Sequence, residues 1–330
     1  MSAPPKRVLI TDSVFDDCDV ERDVLEPHGF SVTQAPSSDP QTLLDCISEG
    51  VAGILVCFAP LDEPLVRAAG ENGCRVIARY GIGVDNVDLE TATELGIQVT
   101  NVPDYCLDEV ADHTLALLLA CARGLADPIR DRGVGSGIPY ERIRRLSGRT
   151  LGLVGLGGIG LRVAARARAF GLKVLAFDPY RDDWDGLDVE PVASVRSLVA
   201  ESDYISLHAP LTDETRHVID GDALAAARRQ PILINTARGG LVDLDAVLAA
   251  LESGQLSGAA LDVTEPEPLP DDHPLRDRPD VILTPHVAFH SVEASDELQR
   301  RATEEVLRVL RGEPPQNPVN RPRELAEATD

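Results

Sequence analysis

Three short segments of this chain place polar side chains directly after an apolar run. They are Asn235-Thr236-Ala237-Arg238-Gly239-Gly240, Asp262-Val263-Thr264-Glu265-Pro266-Glu267-Pro268 and Thr284-Pro285-His286. A guanidinium can hold a carboxylate through two parallel N–H bonds. An imidazole can move a proton near neutral pH. A carboxylate beside the imidazole fixes its ring and favours its protonated form. Arg238, His286 and one of two acids, Glu265 or Glu267, thus make a set suited to oxidising a small hydroxy acid, provided one crevice gathers them. The two acids lie two residues apart and each precedes a proline, so local sequence leaves the choice between them open.

A fourth segment, Gly155-Leu156-Gly157-Gly158-Ile159-Gly160, fits G-x-G-x-x-G. A strand-like run, Leu151–Val154, precedes it and a helical pattern, Leu161–Phe170, follows, which is the context the motif requires. The first glycine permits a tight turn, the second lets a pyrophosphate approach the backbone, and the third allows close helix–strand packing. The helix start offers unpaired N–H groups and the positive end of a dipole to the phosphates. Asp178 ends the next strand-like run, where an acid accepts bonds from the adenosine ribose. A carboxylate there repels a 2′-phosphate, so the expected cofactor is NAD rather than NADP, with nearby Arg181 acting against that preference.

These segments need a scaffold, and the chain supplies one. Short apolar runs alternate with amphipathic helical stretches, the pattern of parallel α/β architecture. A first series comprises residues 8–11, 31–34, 53–58, 76–80 and 97–101, with helical stretches such as 42–48 and 89–95 between them. A second comprises residues 150–155, 173–178, 204–208, 232–236, 259–263 and 281–284, a six-strand series like that of dinucleotide-binding sheets. Between the two lies the helical stretch Glu109–Arg123, apolar almost all round from Leu115 to Ala122 and therefore expected to be buried, either in a core or between subunits, followed by a glycine-rich connection, Gly133–Gly137. A last helix, near residues 295–310, precedes a proline-rich tail. In open sheets of this kind ligands bind beyond the carboxyl ends of the strands, where Arg238, the acids and His286 all fall.

Bulk composition narrows the function classes. A length of 330 residues suits two domains. The chain has 55 acidic against 31 basic residues, a net charge of −24, and its only lysines are Lys6 and Lys173. Such a surface repels nucleic acid and anionic membranes. It stays hydrated when salt screens charge, so a high-salt host is one expectation, ordinary acidic bias being the competing one. No apolar run is long enough to span a bilayer and the N-terminus lacks a signal-peptide pattern, so a cytoplasmic protein is expected. The six cysteines (18, 46, 57, 74, 106 and 121) include no C-x-x-C pair, so neither zinc nor disulfides are expected.

On the glycine turn, the TARGG-type, DVxxxEP-type and TPH segments, in their order and spacing, the chain resembles the D-isomer-specific 2-hydroxyacid dehydrogenase family, from Val8 to about Asn320. The resemblance implies an NAD-dependent oxidoreductase that interconverts a small 2-hydroxy acid and its 2-keto acid, with Arg238, Glu267 and His286 as the catalytic trio. It favours Glu267 over Glu265 by its spacing from Asp262. It implies that Gly155, Gly157, Gly158, Ile159, Gly160, Asp178, His208, Ala209, Thr236, Ala237 and Asp262 line the NAD site, Asp262 holding the nicotinamide carboxamide. Arg79, Tyr80, Gly81, Ile82 and Gly83, in RYGIGVDNVD, resemble the family's substrate loop; ion pairing is the competing role for Arg79. His208 is expected to pack against cofactor and His113 to be structural. The implied fold is two doubly wound parallel-sheet domains, a Rossmann NAD domain (104–290) and a smaller flavodoxin-like substrate domain (1–103 plus 291–330). The implied assembly is a homodimer, with Glu109–Arg123 in its interface.

Within the family, PHVAFHSVEAS, GAALDV and DPY resemble the C-terminal-binding-protein branch, which has Trp where this chain has Phe289, a candidate substrate contact. KRVLITDS and GVDNVDLETAT are similar to phosphoglycerate dehydrogenases. Those commonly carry an Arg at the end of the third strand, absent from Leu55-Val56-Cys57-Phe58. Formate dehydrogenases pair the His with Gln, against Glu267. Phosphoglycerate-type activity and an NAD-sensing, corepressor-like interaction protein are the alternatives to a small-keto-acid enzyme.

Overall fold

The computed structural model describes residues 6–125 and 143–322, so the Gly133–Gly137 connection lies outside the described residues. The chain divides into two compact units, Met1–Tyr105 with Ser291–Asp330, and Cys106–His290.

The first unit runs β1 (Arg7–Ile10), α1 (Asp19–Leu25), β2 (Ser31–Gln34), α2 (Pro40–Ser48), β3 (Gly53–Val56), α3 (Glu63–Glu71), β4 (Val76–Arg79), α4 (Leu89–Glu94) and β5 (Gln98–Thr100). The strand order is β2-β1-β3-β4-β5 and every pairing is parallel, the flavodoxin-like order. β3 and β4 are buried at every position, as unbroken apolar strands covered on both faces should be. Asp39, Asp62 and Asp88 each accept an N–H from the first turn of the helix they open.

The second unit runs α5 (Leu107–Ala122), β6 (Thr150–Val154), α6 (Gly158–Ala169), β7 (Lys173–Phe177), β8 (Glu190–Pro191), α7 (Val195–Glu201), β9 (Tyr204–Leu207), α8 (Gly221–Leu224), β10 (Ile232–Asn235), α9 (Leu244–Glu252), β11 (Gly258–Leu261) and β12 (Val281–Leu283). Its seven-stranded parallel sheet is ordered β12-β11-β10-β9-β6-β7-β8, the doubly wound dinucleotide-binding arrangement with a further edge strand. The count exceeds by one the six strands expected from sequence. The addition is β8, two exposed residues with no apolar character of their own, paired to Leu175 and Ala176 at the sheet edge. α5 is buried along one side. It buries Val110, Ala111, Thr114, Leu115, Leu117, Leu118 and Ala122 but exposes Asp108, Asp112 and Ala116.

α10 (Val292–Leu310) returns the chain to the first unit. It buries Ala294, Leu298, Ala302, Val306 and Leu310. From it, Gln299 donates to Glu21 of α1 at 2.9 Å, and the Tyr80 hydroxyl donates to the same carboxyl. Beyond α10, Glu305 accepts the Gln316 and Asn317 amides, and Val319 N donates to Val99 O at 2.9 Å. The tail is thereby fastened to the β5 edge.

Candidate active site

In the second unit the chain leaves β6 through Gly155 at φ +89°. A Cβ on Gly155 would lie 2.8 Å from the backbone of His208 and Ala209, and one on Gly160 would lie 2.6 Å from Gly155 O. Both glycines are therefore demanded by the protein's own packing. Gly157 is different: its φ is an ordinary −74° and a Cβ there would meet nothing within 4 Å. Nothing in the chain requires a glycine at that position, but a ligand lying along the backbone would. Gly157 also occupies the N-cap of α6 and has no side chain to cap it, so the first-turn amides, those of Gly158, Ile159 and Gly160, are available to an anion. These features fit a dinucleotide's pyrophosphate.

Asp178, one residue past β7, accepts the Leu156 amide at 2.8 Å and the Tyr180 amide at 3.0 Å. Arg181 donates to Leu156 O at 2.9 Å and Asp183 O at 3.1 Å, so its guanidinium is spent on bracing the loop. His208 follows β9 and its Nε2 lies 2.9 Å from Ser206 Oγ. Burial pushes its pKa down to about 3, so the ring is neutral at physiological pH. Ala209 follows it, half-buried.

The three polar segments leave adjacent strands. Asn235 pairs in register with Leu261, and Leu261 with Leu283, so β10, β11 and β12 end side by side. Buried Asn235 donates to Arg238 O at 2.8 Å and accepts from Ala237 N at 3.0 Å, which fixes the turn carrying Thr236, Ala237 and Arg238. Thr236 is anchored to Thr114 of α5 through their hydroxyls, 2.8 Å apart. Arg238 donates to Ala237 O at 2.7 Å. A Cβ on Gly239 would fall 2.1 Å from Thr264 C and O; glycine there lets the Arg238 and Glu267 loops press together. His286 Nδ1 lies 2.8 Å from Glu267 Oε1. Glu265 instead pairs with Arg216 at 2.7 Å. Geometry thus separates two acids that local sequence could not. His286 holds a left-handed backbone, φ 52°, uncommon for a residue with a Cβ, and its ring meets Phe289 edge-on at 6.2 Å.

Asp262 is the best-satisfied acid in the region. Its side chain is 1% exposed. It accepts Thr284 Oγ1 at 2.6 Å, Val287 N at 3.0 Å and Ala288 N at 2.9 Å. His113 of α5 lies 3.2 Å from Thr284 Oγ1. Sequence reasoning treated His113 as structural and did not connect it to this cluster, because 171 residues separate the two.

The remaining candidates belong to the first unit. The Arg79 guanidinium sits 5.8 Å from the Phe58 ring centroid and donates to Tyr80 O. A Cβ on Gly81, at φ 147°, would collide with it. Asn101 donates to Ile82 O at 2.6 Å and Val102 N to Gly81 O at 3.1 Å, which pins the loop; Gly83 follows, half-buried. Sequence reasoning missed Asp12. One residue pair beyond β1, its carboxylate accepts the amides of Cys57 at 3.0 Å, Phe58 at 2.6 Å and Ala59 at 3.0 Å. The six cysteines are free thiols, and burial pushes those of Cys57, Cys74 and Cys121 up to about 12.

Residues 115–288 match the family model described as D-isomer specific 2-hydroxyacid dehydrogenase, NAD binding domain. A D-3-phosphoglycerate dehydrogenase of Methanocaldococcus jannaschii is 38% identical over 320 residues, 96% of this chain and 60% of that one. A glyoxylate reductase of Korarchaeum cryptofilum is 39% identical over 296 residues, 87% of each chain. Among solved structures, a D-lactate dehydrogenase of Aquifex aeolicus complexed with NAD and lactic acid superposes with a TM-score of 0.84 at 29% identity, covering 96% of this chain and 100% of that one. The cofactor of the matched domain is NAD.

Proposed function

Given that the chain belongs to the D-isomer specific 2-hydroxyacid dehydrogenase family, we propose that it reduces a small 2-keto acid, of the glyoxylate or hydroxypyruvate kind, to the 2-hydroxy acid, with His286 as the acid/base. NAD, when bound, supplies the hydride donor or acceptor. Arg238 holds the substrate carboxylate. His286 delivers the proton to the C2 oxygen on reduction and removes it on oxidation. Glu267 orients the ring through Nδ1, which selects Nε2 as the nitrogen that exchanges the proton. The observation that carries this reading is the 2.8 Å contact of Glu267 with His286 on loops that leave adjacent strands.

Glyoxylate and hydroxypyruvate reductases among the relatives support the substrate class. The phosphoglycerate dehydrogenase supports a competitor, but the end of β3 carries no arginine for a phosphate. Arg79, Tyr80, Gly81, Ile82 and Gly83 are proposed to receive the substrate carboxylate, with Phe289 flanking the substrate side chain. A homodimer formed along the exposed face of α5, a cytoplasmic location and a high-salt host complete the proposal. The charge of −24 supports the last, and no helix among the described residues is long and apolar enough to cross a membrane.

A panel of keto acids with NADH tests the reading: glyoxylate, hydroxypyruvate, pyruvate, branched-chain and phenyl keto acids, and phosphohydroxypyruvate. Consumption of NADH with glyoxylate or hydroxypyruvate is expected. Preference for phosphohydroxypyruvate would overturn the substrate class, and no turnover with any of them would overturn the enzyme reading.

A further inference from the structure

The loop 81–83 begins and ends in glycine, so its own side chains do little to fix its path. It has few amides to offer an anion. Tyr80 N is spent on Val56 O at 2.8 Å and Gly81 N on Arg79 O at 2.9 Å, whereas no acceptor among the described residues takes those of Ile82 and Gly83. The residue that leads into the loop is anchored far more firmly than the loop itself. Tyr80 is the bulkiest of the fully buried side chains among the described residues. Its ring meets Phe15 edge-on at 5.2 Å, and its hydroxyl donates to Glu21 of α1. The other oxygen of that carboxyl accepts Gln299 Nε2 of α10 at 2.9 Å, and the same nitrogen reaches Asp17 O at 3.2 Å. Tyr80, Glu21 and Gln299 thus form one buried polar chain running from the loop through α1 to α10.

As a source of stability alone, this chain is costly. Glu21 is 1% exposed, and no cationic side chain among the described residues pairs with it. Burial raises its pKa above the ordinary value, with Asp17 adding to the rise, against the bonds from Tyr80 and Gln299. Packed hydrocarbon in place of a buried charged group is often neutral or stabilising. What a fully bonded polar network supplies instead is one defined arrangement. We propose that Glu21 and Gln299 are positioning residues: acting through the Tyr80 hydroxyl, they hold the Ile82 and Gly83 amides where the substrate carboxylate is received. The inference rests on the reading of residues 79–83 as the carboxylate loop. The Tyr80 ring itself is spent in the core and meets no substrate; its hydroxyl serves only to set the backbone that follows.

The test compares wild type, Tyr80→Phe, Glu21→Gln and the double variant Tyr80→Phe/Glu21→Leu. Each is melted, titrated with NADH by calorimetry, and assayed for KM and kcat separately with the best keto acid of the panel. A positioning role predicts that Tyr80→Phe raises KM about tenfold, with kcat within about threefold and the NADH Kd within about twofold, the pattern of lost substrate binding. Glu21→Gln keeps an oxygen for the Tyr80 hydroxyl and should hold KM within about threefold of wild type; a loss equal to that of Tyr80→Phe would overturn the proposal. The double variant sets hydrocarbon against hydrocarbon. It should melt at or above the wild-type temperature and still carry the tenfold rise in KM. Recovery of KM together with the melting temperature would overturn the proposal, because the network would then serve packing alone. If the double variant does not fold, Gln299→Met takes its place: KM should rise about threefold at unchanged NADH affinity, and an unchanged KM overturns the proposal. Asn101→Ala, which releases Ile82 O from the bond at 2.6 Å, is the control on the loop reading. A KM rise there with none in Tyr80→Phe would overturn the positioning role alone, and no change in either would overturn the carboxylate loop with it.

Discussion

Both units are parallel sheets with loops gathered at the carboxyl ends of their strands, yet they treat the amides beyond their first strands differently. In the first, Asp12 leaves β1 and fills a nest of three consecutive amides, those of Cys57, Phe58 and Ala59. In the second, the corresponding position after β6 is a run of glycines whose N-cap carries no acceptor. Acceptor side chains open α2, α3, α4, α7, α8, α9 and α10 (Asp39, Asp62, Asp88, Ser194, Asp220, Asp243 and Ser291). At this one place the two units differ: a carboxylate of the chain answers the amides in the first, and no side chain caps α6 in the second.

The largest expected effect breaks the comparison on the reactive side. His286→Ala should lose about 10³-fold in turnover, in the range of general acid–base catalysis, while NADH titration shows unchanged affinity. Next, Gly157→Val should melt at the wild-type temperature, because its Cβ meets no protein atom. It should weaken NADH at least tenfold, about 1.4 kcal/mol; equal affinity would mean that the turn does not cradle the pyrophosphate. Gly160→Ala is the control: the clash with Gly155 O should lower the melting temperature itself. Asp12→Ala should do the reverse of Gly157→Val, costing about 1–3 kcal/mol of stability by removing a carboxylate that three amides share while NADH affinity holds; chemical denaturation reads it.

A further comparison concerns pH. His208 is held far below its ordinary pKa, at about 3, so only the unfolded chain takes up its proton between that value and about 6.5. Stability should be unaffected by this group above pH 6.5 and fall as pH drops below it. In His208→Gln that part of the decline should vanish, as melts from pH 8 to pH 4 would show.

Much of the sheet architecture was legible because parallel strands buried on both faces must be nearly unbroken apolar runs, and Gly53–Val56, Val76–Arg79 and Thr150–Val154 are such runs. Glu190–Pro191 carried no such signal, since an edge pair of two exposed residues needs none. The glycine turn was legible because its spacing is itself the signal: Gly155 and Gly160 answer demands of local packing, and Gly157 leaves the backbone bare. The Glu267–His286 contact was not readable from local sequence: Glu265 has the same neighbours, and only the path of the loop sends one acid to His286 and the other to Arg216. Asp12 and His113 were invisible for a different reason. Their partners lie 45–47 and 171 residues away, and a single acid or imidazole after an apolar run has no spacing that names such a partner.

The return of α10 and the tail to the first unit sets an order of events during synthesis. Residues up to Tyr105 emerge first, but the helix that covers β3 and β4 and the strand-like segment that pairs with Thr100 arrive only after Ser291. The second unit is contiguous and can close around its own sheet while the first still waits for its missing wall. A nascent chain paused near residue 290 would therefore expose the sheet face of Gly53 and Val76, on which Val306 of α10 packs, and α10 with the segment that follows it is the latch that ends that exposure.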